Sequence, residues 1–227
     1  MATGYRRDLP PLLHYAAEVS RNPSSCSRLR RRIVLPLLAS VLFGAAASAP
    51  ARQNEPPLPS WFPATALEGA GVQLAQGIRS VQEDAIEEQV ADAGRRGVRD
   101  LIFTVDGWGL EGLRERSPTF PELEIPTVGD PIVGLVATFG VCSLGVYEEL
   151  AATPRERFYV KLVEVSVGVI SAYLRTEALA AGATDDSLRE ALTSVEWQAL
   201  SERLVEDEEA RNHVNQQCGP VMSALLE

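Results

Sequence analysis

Lysine is nearly missing from this 227-residue chain: Lys161 is the only one. Histidine is almost as scarce, with His213 alone after residue 51. The first shortage excludes lysine-rich surfaces of the kind that bind phosphate backbones by releasing counterions or cling to anionic membranes. The second excludes a two-histidine metal site within one chain beyond residue 51. No phosphate loop and no serine elbow occur, and the longest apolar stretch, 33–49, falls short of the about 20 residues that span a bilayer. The sequence therefore assigns no catalytic, cofactor-binding or metal-ligating residue.

The charge that is present is unevenly placed. Residues 1–51 carry seven arginines against Asp8 and Glu18, whereas the remainder has 14 basic and 29 acidic residues. So acidic a body repels nucleic acid, which is excluded as a partner. The basic run Arg28-Leu29-Arg30-Arg31-Arg32 leads into the apolar stretch, interrupted by Pro36 and Gly44, and then into small residues such as Ala45-Ala46-Ala47 and Ala49-Pro50-Ala51. Positive flank, apolar stretch and small residues, in that order, predict a secretory signal over residues 1–51 that is cleaved on export, leaving no stable membrane insertion. The alternative is a chain kept anchored by residues 33–49. Arg31-Arg32-Ile33-Val34-Leu35 loosely resembles a twin-arginine export signal. Arginine-rich, lysine-poor and alanine-rich usage fits a bacterial source, so the expected location is periplasmic or secreted.

Removal of the signal would leave two thiols, Cys142 and Cys218. An even count in an oxidising compartment predicts a disulfide. The segment Cys218-Gly219-Pro220 looks like half a thioredoxin site, but Gln217 stands where tryptophan is usual, Val221 replaces the second cysteine, and only seven residues follow Pro220. Gly219 instead reads as a helix end and Pro220 as the start of a last turn.

The periodicity predicts a mainly α protein, a small helical bundle with one disulfide. Pro56, Pro57, Pro59 and Pro63 mark residues 52–70 as an extended linker, its end anchored by Trp61 and Phe62. Residues 71–227 form the helical domain. Within it, Leu74, Ile78, Val81, Ala85 and Val90 fall near one helical face, with Gly94 and Gly97 as the stop. Residues 98–131 read as irregular, with a short strand at 101–105 from Leu-Ile-Phe-Thr-Val and a turn at Asp106-Gly107. Residues 132–227 make the helical core. Thr153-Pro154-Arg155-Glu156 presents a capping box that starts a long central helix, apolar nearly all round and closed by Gly182. Thr184, Asp185 and Asp186 offer caps for the next helix, which carries Leu188, Leu192, Val195, Ala199 and Leu204.

Reach then constrains the bundle. A straight helix from Asp186 would carry Cys218 about 48 Å along the axis, while Cys142 sits about 15 Å from the same end. A disulfide tolerates at most about 7 Å between α-carbons, so the chain must turn back between Glu206 and Gln217.

The candidate binding residues are Asp106 and Trp108, in Asp106-Gly107-Trp108-Gly109: a carboxylate and an aromatic on a glycine-flanked turn give direction and stacking area for a sugar or a peptide end. His213 reads as a surface histidine, and Glu206 to Glu209 as a solvated helix face, since consecutive acids point apart instead of converging on an ion. Together these features predict an exported, acidic, non-catalytic module that binds an unknown protein partner without cofactors. The alternative is a cell-envelope hydrolase using carboxylates such as Asp106.

Overall fold

The computed structural model describes residues 55–121, 123, 130–146, 151–193 and 197–226. Residues 1–51, where a signal is expected, and the positions Tyr147, Leu150 and Val195 of the predicted stripes lie outside the described residues. Seven helices and no strand occur among the described residues: α1 (Ala64–Val81), α2 (Glu87–Glu115), α3 (Pro131–Leu144), α4 (Pro154–Ala180), α5 (Asp185–Thr193), α6 (Trp197–Glu206) and α7 (Glu208–Ala224).

Three of these elements begin where local chemistry dictates. At α4 the Thr153 hydroxyl accepts from the Glu156 amide at 3.2 Å, and the Glu156 carboxylate accepts from the Thr153 amide at 2.8 Å, the reciprocal box expected. At α3 the Asp130 carboxylate accepts from the amides of Ile132 and Val133, and Pro131 takes the first helical position. At α7 the Asp207 carboxylate accepts from the Ala210 amide at 2.9 Å. Asp207 also separates α6 from α7, inside the interval 206–217 in which reach demands a turn.

The helix α4 is central, packing against α1, α2, α3 and α7. Its Val163, Val169, Ile170, Leu174 and Ala178 are essentially sealed from solvent, in one continuous core with Leu101 and Ile102 of α2, Phe139 of α3, Leu204 of α6 and Met222 of α7. The chain's only lysine is part of this packing: Lys161 pairs with Glu164 at 3.2 Å while its Cβ side abuts Gly77 of α1. Burial pushes the neighbouring Tyr159 hydroxyl up to about 12. A raised folded-state value means that stability is intact below the ordinary tyrosine range, near 10, and is lost as pH climbs from there through 12, a loss of about 2–3 kcal/mol in all. Thermal melting of Tyr159→Phe should therefore decline less steeply than wild type between pH 9 and 11; parallel curves would refute the assignment.

Several sequence expectations are corrected. Residues 64–70 are helix instead of linker, as suits a run of good helix formers after Pro63. The helix expected over 71–93 is interrupted at 82–86, and Gly94 and Gly97 lie inside α2 instead of ending it. Both departures have one cause. Reversing the chain lets α1 and α2 pack antiparallel, and the glycines supply the close approach: a Cβ on Gly94 would stand 2.3 Å from the Gly71 carbonyl oxygen, and one on Gly97 would stand 2.8 Å from Leu74. The strand expected at 101–105 is helical, as is most of the stretch 98–115 read as irregular. Helical spacing buries Leu101, Ile102 and Val105 on one side, and among the described residues there is no strand to pair with an extended run. Finally, α7 runs through Gly219-Pro220 without ending. Burial of Val221, Met222 and Leu225 holds the last turn to the core, although Pro220 lacks the amide that would bond back to Gln216.

The predicted bridge is present: Cys142 of α3 and Cys218 of α7 are joined, with α-carbons 5.8 Å apart and both side chains 1 % exposed.

Candidate functional site

Residues 55–63, the proline-rich segment, are neither helix nor strand and lie as a strap against α2 and α4. The guanidinium of Arg99 pairs with the Glu55 carboxylate at 3.3 Å and donates to the Pro56 carbonyl. Further along, Leu58 and Trp61 pack against the core, and Phe62 is buried within it. The Trp61 indole N–H donates to the Asp106 carboxylate at 2.7 Å, and its ring meets that of Tyr173 edge-on at 5.2 Å.

Opposite Trp61, α2 is broken by its own sequence. Gly109 adopts φ 60°, ψ −171°, a conformation open to glycine and essentially closed to other residues, and it kinks the helix at that point. The Tyr173 hydroxyl of α4 sits beside the break, 3.7 Å from where a Gly109 Cβ would be. Its ring is buried, whereas the acids around the hydroxyl, exposed Asp106 and half-buried Glu177, form the rim. Burial raises the Tyr173 hydroxyl above the ordinary tyrosine value, with Glu177 and Asp106 adding to the rise, and the Leu110 amide just past the break opposes it. Burial and the two carboxylates thus both favour the neutral phenol. Gly109→Ala should cost about 2 kcal/mol through strain alone; an unchanged urea midpoint would mean that the kink is dispensable.

The two predicted binding residues do not act together. Asp106 faces the strap and Tyr173. Trp108, two positions on, points elsewhere: its Cβ lies against Gly112, and the Arg116 guanidinium stacks over its ring at 4.7 Å while donating to the Gly112 carbonyl at 3.0 Å. The turn on which both were expected is a helix up to the kink, and side chains two apart on a helix diverge by roughly 200°. Tyr173 and Glu177, absent from the sequence reading, replace Trp108 as neighbours of Asp106. The sequence signal for Tyr173 is its polar tip among the apolar positions of α4.

An open depression of about 490 Å³ is lined by Glu208, Glu209, Asn212, His213 and Gln216 of α7. Glu206 to Glu209 are exposed, with Asp207 serving as a cap. The neighbouring Asn215 side chain donates to the Gly145 carbonyl at 3.0 Å, tying α7 to the end of α3 beside the disulfide. Among the described residues no group of three His, Cys, Asp or Glu is placed to hold a metal ion, and no helix is long and apolar enough to cross a membrane.

No family model matches this chain, and neither a curated protein nor a solved structure matches it significantly.

Proposed function

We propose that this protein is an exported helical module, periplasmic or secreted, that works by binding another protein and not by catalysing a reaction. The observation that carries the reading is that Asp106 and Trp108, the acid and the aromatic best suited to chemistry, already have internal partners: the Trp61 indole on the carboxylate and the Arg116 guanidinium over the ring. What the molecule offers outward is an acidic helical surface. The Cys142–Cys218 bridge supports an oxidising destination, since compartments outside the cytosol keep paired thiols oxidised, and the basic and apolar run at 28–49 supplies the address. Retention by residues 33–49 is the alternative placement.

One observation favours the hydrolase alternative: Asp106 and Glu177 both lie close enough to Tyr173 to disfavour its ionisation, a grouping of two acids and a phenol that acid–base catalysis could employ. Affinity capture from periplasmic extract with the purified chain, followed by native mass spectrometry, separates the two. The expected result is a stoichiometric protein partner and a mature N-terminus that has lost the signal. A small envelope-derived ligand retained in place of a protein would overturn the binding reading, and an intact N-terminus on a cytoplasmic product would overturn the location.

A further inference from the structure

We propose that the seat of the strap on α2 and α4 is a docking site for an extended, proline-rich segment of a partner protein that carries a tryptophan, and that residues 55–61 occupy it as a displaceable stand-in. The proposal rests on the protein-binding reading above and supplies the chemistry of the partner.

The strap is itself a specimen of that chemistry. Pro56, Pro57 and Pro59 bias it toward the polyproline conformation, which is preformed and loses little entropy on docking. Its seat reads particular groups. Asp106 takes an indole N–H, the Tyr173 ring receives an aromatic edge, and Arg99 takes a main-chain carbonyl together with a carboxylate. All three belong to α2 and α4, not to α1, the helix that continues from the strap. The same contacts are therefore open to a segment of another chain.

The attachment is also of a kind that exchanges. Glu55, Pro56 and Pro57 are exposed, and the bonds from Arg99 to Pro56 and from Trp61 to Asp106 lie at the surface, where each polar contact is individually weak. Phe62, by contrast, is only 6 % exposed and fixes the root of the strap in the core. The displaceable part accordingly ends at Trp61, and its release also uncovers the half-buried Leu58 and Trp61 side chains that pack against the core.

The test is fluorescence anisotropy with a labelled synthetic peptide of residues 54–63, titrated with the intact chain and with its Trp61→Ala variant. Saturable binding is expected to both, about 10-fold or more weaker to the intact chain because its own strap competes for the seat. Replacing the peptide's tryptophan by alanine, or adding Asp106→Asn to the variant, should weaken binding by about 10-fold or more. Should Trp61→Ala fail to fold, Trp61→Phe keeps an aromatic side chain, smaller than the indole, and removes the N–H. Three results would overturn the proposal: no saturable binding to any chain, equal binding of the alanine peptide, or binding to the variant with none to the intact chain, which would make the strap a fixed part of the core. Any of these alongside a stoichiometric partner in the capture experiment refutes this seat while leaving the protein-binding reading intact.

Discussion

Replacing both Cys142 and Cys218 by alanine is expected to lower stability by about 4 kcal/mol and the melting temperature by roughly 10 °C. The bridge closes a long loop, 76 residues in sequence separation, and so removes a large set of unfolded conformations. Alanine leaves no buried polar group behind, which isolates the cross-link from any desolvation penalty. The loss should also be local at first. In the folded chain α7 is held to α3 by the bridge and by the Asn215 bond to Gly145, whereas α1, α2 and α4 pack directly on one another without a cross-link. Hydrogen exchange should accordingly show amides of α7 opening well before those of α2. Reduced wild-type protein should melt with the double variant. A melting temperature unchanged by either treatment would remove the bridge from the account of stability.

The features visible in the sequence were those whose physics is local or metric. The Thr153–Glu156 box needs only four consecutive residues, and it forms as expected. The cysteine pair follows from counting thiols, and a turn between Glu206 and Gln217, the interval that holds the α6–α7 break at Asp207, from comparing a helix rise with the span of a disulfide. What was not legible depended on partners far along the chain. Gly94 and Gly97 carry the marks of a helix stop, and only the presence of α1 turns them into a contact surface. Leu101 to Val105 has strand composition, but burial on one helical side outweighs that preference.

The candidate site divides along the same line. Asp106 was legible as a carboxylate beside glycine-rich chain, yet its meaning depends on Trp61, 45 residues earlier, and on Tyr173, far later. Trp108 was read as an exposed partner of that acid, but Arg116, eight residues on, covers it. The Pro-rich strap was read from its composition as a spacer. Composition supplies its extended form, but Arg99, Asp106 and Tyr173 give it a seat. Such groups are brought together only after α1 has folded back on α2, so the site is downstream of the glycine seam.

That dependence makes Gly94→Ala the second large expected effect, a destabilisation of about 2–4 kcal/mol. The added methyl would stand 2.3 Å from the Gly71 carbonyl oxygen and 2.9 Å from both the amide nitrogen and Cβ of Ala75. Most of these atoms are backbone, so no side-chain rotation relieves the overlap and the two helices must move apart. Alanine's better helix propensity returns about 1 kcal/mol, too little to compensate. Gly69→Ala, in α1, supplies the control: nothing lies within 4 Å of its would-be Cβ, and the same propensity gain should stabilise the chain by about 0.5–1 kcal/mol. Urea unfolding of the two variants tests the pair directly. If Gly94→Ala raised the midpoint as Gly69→Ala does, α1 and α2 would not meet along this seam, and the register that places Trp61 on Asp106 would need another origin.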